Sequence, residues 1–137
     1  MSDILAVTKG ATTYALFFGK ELKPDGARFV TERTMPFQVG VIERPAGYGV
    51  KAHQHPPQTY DVRTTSEFLY LEHGKMEVTI YDEEWTVLKK HVMSAGDAML
   101  SLGGGHSMEV LEPVRLFEVK QGPFPGDKQS KSYRDPQ

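Results

Sequence analysis

The apolar residues of this chain come in short runs that alternate with polar residues and stop at glycine or proline. That pattern points to a β fold. Met76, Val78 and Ile80 alternate with Glu77, Thr79 and Tyr81, so one row of side chains meets a core while the other faces water. Residues 39–44 read as a strand ended by Pro45-Ala46-Gly47. Residues 67–71 read as another, followed by a turn at Glu72-His73-Gly74-Lys75. Residues 85–93 give a further strand and Ser94-Ala95-Gly96-Asp97 a turn. Residues 98–102 and 106–111 read as a pair around Gly103-Gly104-Gly105, and residues 114–120 as the last strand. Six or more short strands at this spacing predict an antiparallel sandwich or barrel. Val41, Leu69, Leu71, Val78, Ile80, Leu100 and Leu116 are its expected core.

A length of 137 residues fits a single domain. Its expected parts are amino-terminal strands or an arm over residues 1–35, a barrel core over 36–120 and an extended tail over 121–137. Residues 12–18 read either as an edge strand or as an arm reaching a neighbouring subunit. Phe17, Phe18 and Phe29 are apolar enough to cover a second copy, which predicts a homodimer. A net charge of −2 and the lack of any Lys/Arg block argue against nucleic acid as a partner. No apolar run is long enough for a membrane helix, and no basic segment precedes an apolar one at the amino terminus. The expected location is therefore the cytoplasm. The chain has no cysteine, so a transition metal would have to rely on imidazole and carboxylate.

His53 and His55 carry the strongest chemical signal. On an extended strand, residues i and i+2 project from one face, so His-x-His sets two imidazoles side by side as a metal requires. The plainer alternative is a polar surface face.

The surroundings of that pair resemble a known family. Gly47, five residues, His53-Gln54-His55, then Glu67, six residues and Gly74 resemble the first signature of the cupin superfamily. Residues 96–106, from Gly96-Asp97 to Gly105-His106, resemble the second. The resemblance implies an antiparallel double-stranded β-helix, or jelly-roll barrel. It also implies one divalent metal ion per chain, held by His53, His55, Glu67 and His106. The sequence departs from the family pattern in three places. Eleven residues separate His55 from Glu67 where three or four are usual. Leu102 replaces a proline, before a turn one residue short, and Val110 stands where asparagine is common. The insertion makes Asp61 a competing ligand, but alternation groups Glu67 with Leu69 and Leu71. Three imidazoles and a carboxylate suit Fe, Mn, Ni, Cu or Zn.

By the same resemblance, the expected function is a metal-dependent enzyme of isomerase, epimerase or lyase type. Its substrate would be a small polar molecule, with a carbohydrate derivative in view, and Glu67 as the catalytic residue, or a metal-bound water, would carry the proton. A non-catalytic module that binds a sugar or another small molecule and an Fe-dependent dioxygenase are the alternatives. Tyr60 and Arg63 either contact substrate or anchor the insertion. Met99 and Met108 either line a pocket or fill the core. His73 and His91 read as exposed.

Overall fold

A computed structural model describes residues 3–134. The chain is nearly all β, a curled antiparallel half-barrel. Its strands are β1 (Ile4–Lys9), β2 (Thr12–Phe18), β3 (Ala27–Phe29), β4 (Gly40–Ile42), β5 (Glu67–Tyr81), β6 (Val87–Ser94), β7 (Ala98–Ser101) and β8 (Gly105–Lys120). A single turn of helix, α1 (Asp127–Ser130), follows. No described helix is long and apolar enough to cross a membrane.

The main sheet runs β1-β2-β7-β5-β6, with β8 paired along the other edge of β5. Central strands can be buried on both faces. The Tyr14-Ala15-Leu16-Phe17-Phe18 run of β2 and all of β7 are buried accordingly. Phe17 and Phe18 therefore lie in the chain's own core, not on a second copy, and residues 4–18 belong to the main sheet. The physical reason is the β2–β7 pairing, Phe17 opposite Met99 and Phe18 opposite Ala98. Phe29 alone of the three is exposed. The inner face packs Val7, Phe17, Leu69, Leu71, Met76, Val78 and Ile80 around Met93 and Met99. On the outer face Phe18, Leu22 and Ala98 are covered by Val30, Val39 and Val41, around the small β3–β4 ribbon.

Two turn expectations need correction. Residues 72–75 do not end a strand. Strand β5 runs through them, paired to β8 on both sides, with register shifts between Leu71 and Met76. Such bulges bend a ribbon sharply without ending it. Gly74 lies at the bend with φ +95°, and a Cβ there would run into the Pro113 carbonyl of β8. The β5–β8 ribbon thus folds over on itself at Gly74 and Pro113. Residues 98–102 and 106–111 also do not pair with each other. Strand β7 joins β2 and β5, while β8 joins β5, so the triple glycine is a crossover, not a hairpin. Close approach explains part of it: a Cβ on Gly105 would lie 2.6 Å from the Trp85 ring.

The curl is latched where β1 nears the end of β5. Lys9 Nζ sits 2.6 Å from Asp82 Oδ2, and the Asp82 side chain is only 3% exposed. Asp82 Oδ1 also accepts the backbone N–H groups of Glu84 and Thr86, each at 2.9 Å. The Lys9 hydrogen bond first, then those N–H groups, hold the Asp82 carboxyl below the usual carboxylate range. Among the described residues β8 pairs with β5 alone.

Candidate functional site

Glu67 opens β5 opposite Ser101 and Lys120, and its alternation with Leu69 and Leu71 aims it at the inner face. His106, near the start of β8, lies opposite the buried Ile80 and therefore faces the same interior. In a straight ribbon these residues would stand at opposite ends of β5. The fold at Gly74 brings the ends together, and His106 Nε2 lies 3.1 Å from Glu67 Oε2. Both side chains are largely shielded from solvent. The His106 hydrogen bond holds the Glu67 carboxyl below its ordinary range against the opposing effect of burial, and the charges of Lys120 and Lys131 add to it.

The pair lines an open cleft of about 870 Å3, together with Ser101, Tyr81, Trp85, Lys131 and Arg134. Its wall is completed by the carboxyl-terminal segment, which turns back over the end of β5. The Ser66 N–H donates to Gln121 Oε1 at 2.7 Å, Lys120 Nζ lies 4.3 Å from the centre of the Phe124 ring, and Arg134 reaches over Tyr81. Ser66 Oγ, just before Glu67, is buried with no hydrogen-bond partner among the described residues. Trp85 adopts φ +66° in the turn that Asp82 holds, a backbone region bulky residues seldom occupy.

His53 and His55 stand elsewhere. They are neighbours, with ring centroids 5.2 Å apart, on an exposed segment without strand pairing. The face-sharing expected of a strand is therefore achieved by an unpaired extended chain. His53 Nδ1 donates to the Lys51 carbonyl oxygen at 2.8 Å. A carbonyl can only accept, so the proton sits on Nδ1 and Nε2 presents its lone pair outward, the orientation a metal-binding imidazole needs. Within the described chain, no three His, Asp or Glu side chains come together in a metal-binding group. The four residues fall into two separate pairs, His53 with His55 and Glu67 with His106, the two halves of the ligand set that the resemblance implies. Each is chemically fit to ligate, with nitrogen and oxygen donors of the kind divalent transition metals take.

The other candidates are dispersed. Asp61 is exposed and accepts from Arg63, Nη2 to Oδ2 at 3.1 Å, and Tyr60 beside them projects into solvent. Met99 is fully buried in the core. Met108 faces inward opposite Val78 but lies outside the cleft lining. His73 is exposed as expected, at the bend opposite Arg115. His91 is not. It is half-buried opposite Val78, its ring centroid 4.5 Å from that of Phe17.

Tyr81, Trp85, Lys131 and Arg134 were not singled out by the sequence. Alternation places Tyr81 in the row facing water with Glu77 and Thr79, whereas Tyr81 and Thr79 are buried, Tyr81 beside a bulge between it and Ile80. The two cations reach the cleft only through the return of the carboxyl-terminal segment. The single tryptophan, three residues beyond an Asp, was the one available signal. Comparison with protein-family models, with curated proteins and with solved structures finds no match to this chain.

Proposed function

We propose that this chain is a metal-dependent cupin-like protein, a jelly-roll barrel holding one divalent transition ion on Glu67, His106, His53 and His55. On this reading it acts on a small polar substrate in an isomerase, epimerase or lyase type of reaction. The observation that carries the reading is the contact of His106 with Glu67 on the inner face of the half-barrel, at a cleft open to solvent. A carboxylate and an imidazole converging there form half of the ligand set that the sequence motifs imply. When bound, the metal supplies Lewis-acid polarisation of a substrate oxygen. The residues around it supply the rest. Glu67, held ionised by its neighbours, offers the ion a carboxylate, and it would carry a proton only once substrate or metal displaces the His106 hydrogen bond that lowers its proton affinity. Arg134, and Lys131 beside its ion pair with Asp127, offer donors to an anionic group against the carboxylates of Glu67, Asp82 and Glu83 in the same lining, and Trp85 offers an apolar face to a sugar ring.

The two cations also favour a second reading, a binding module that captures a small anion without changing it. Metal analysis of the purified protein tests the first. About one Mn, Fe, Ni, Cu or Zn per chain is expected, with His106→Ala and Glu67→Gln each lowering occupancy at least tenfold. Wild-type protein that takes up none of these ions would overturn the metal reading. Metal uptake with every offered sugar and small acid returned unchanged would move the function to the binding module.

A further inference from the structure

From Ile42 to Thr65 every residue is exposed, and from Glu43 to Ser66 none lies in a strand. A structureless excursion of that length is uncommon in a compact domain unless it has a task. It is also apolar in places, with Tyr48, Val50, Tyr60 and Val62 all open to solvent. The Glu43 N–H donates to the Gly26 carbonyl oxygen at 2.8 Å and ties the start of the excursion to the β3–β4 ribbon. Beyond it the hydrogen bonds of residues 44–65 are internal, and Pro56-Pro57 after His55 stiffens the segment in an extended form.

The half-barrel has a matching vacancy. Met108 and Val110 of β8 lie opposite Val78 and Met76, which are buried, so all four point to the inner face. Yet Met108 is 39% and Val110 57% exposed. Side chains aimed at a core and still wet mark a wall that the described residues do not complete. Among the described residues, the outer edge of β8 is an open row of backbone donors and acceptors beside it. The exposed excursion and the open wall each lack what the other has, and so do the two pairs.

We infer that a second copy of this chain supplies the missing wall. Residues 43–65 of one protomer lie along β8 of the other and carry its His53 and His55 to the first protomer's Glu67 and His106. The exchange is reciprocal, giving a closed pair with two equivalent sites, as a two-fold interface requires. Each leg of the excursion can span up to about 40 Å, enough to cross to a neighbour. This rests on the metal reading above for the site, but not for the exchange itself.

The test is complementation between protomers. One chain carries His53→Ala and His55→Ala, the other Glu67→Gln and His106→Ala. They are produced together with different tags and the mixed dimer is isolated. Cobalt(II) titration, read by visible absorption, should find tight binding lost at least 100-fold in each variant alone. The mixed dimer should show one restored site, because one arm and one Glu67–His106 pair remain intact across the interface. A mixed dimer with no restored site, while wild type binds, would place all four ligands in one chain and overturn the inference. Sedimentation and limited trypsin digestion of the wild type test the exchange without metal. A dimer protected at Lys51 and Arg63 supports it. A monomer cut rapidly at both sites overturns it, whatever the variants do. Wild type that dimerises with protection but binds no cobalt would refute the metal reading alone.

Discussion

His91 shows how one side chain ties the fold to pH. Burial against Phe17 lowers its pKa below the ordinary 6.5, with Asp97 opposing and Lys89 adding to the shift. The unfolded chain takes up a proton near that ordinary value while the folded chain resists it. Below about pH 6.5 the unfolded state therefore binds more protons, and stability falls as pH drops towards the depressed folded value. Replacing His91 by Leu should flatten the decline in melting temperature between about pH 7 and 5.5. An unchanged slope would show that His91 is not the source. The sequence hid this residue because Lys89 and Lys90 precede it and suggest a solvated face. Its pairing opposite Val78 decides otherwise. The inward aim of Glu67, by contrast, was legible, since alternation with Leu69 and Leu71 needs no knowledge of partners.

At the scale of elements, strands were easier to read than connections. The run at 76–81 sits in β5 and most of the run at 85–93 in β6, which starts only at Val87, and five of the seven expected core residues are fully buried, with Val41 and Leu116 partly so. What local pattern could not give was the joining of residues 67–71 to 76–81 through a bend. Gly next to polar residues looks the same in a hairpin turn and in a kinked strand. Gly74→Ala separates the two, because its Cβ would meet the Pro113 backbone and would lie 2.9 Å from Val114 Cα. The backbone on that side cannot retreat without breaking the ribbon. A loss of roughly 2–4 kcal/mol in denaturant midpoint analysis is expected. Because the fold at Gly74 brings Glu67 to His106, the proposed metal site should weaken with it, read as lower cobalt uptake than wild type wherever wild type binds the ion. A Gly74→Ala protein as stable as wild type would mean the bend tolerates a side chain.

The whole molecule is an incomplete barrel with a long unpaired excursion, and its stability should depend on how many copies are present. If the excursion closes a second copy, only the paired state is fully folded. The melting temperature should then rise by roughly 2–4 °C for each tenfold increase in protein concentration. Scanning calorimetry at two concentrations checks this, and a concentration-independent melt argues for a self-sufficient monomer. The folded-over ribbon has a further consequence, for the order of assembly. Strands β5 and β8 meet first in sequence at Tyr81 and Gly105 and last at Glu67 and Lys120, with β6 and β7 enclosed between them. Closing the shorter loop costs less chain entropy, so the ribbon zips from the Tyr81 end and must round the Gly74 bend before Glu67 finds its place. The carboxylate that meets His106 is then among the last groups to settle, and the site exists only once the ribbon's entire register is correct.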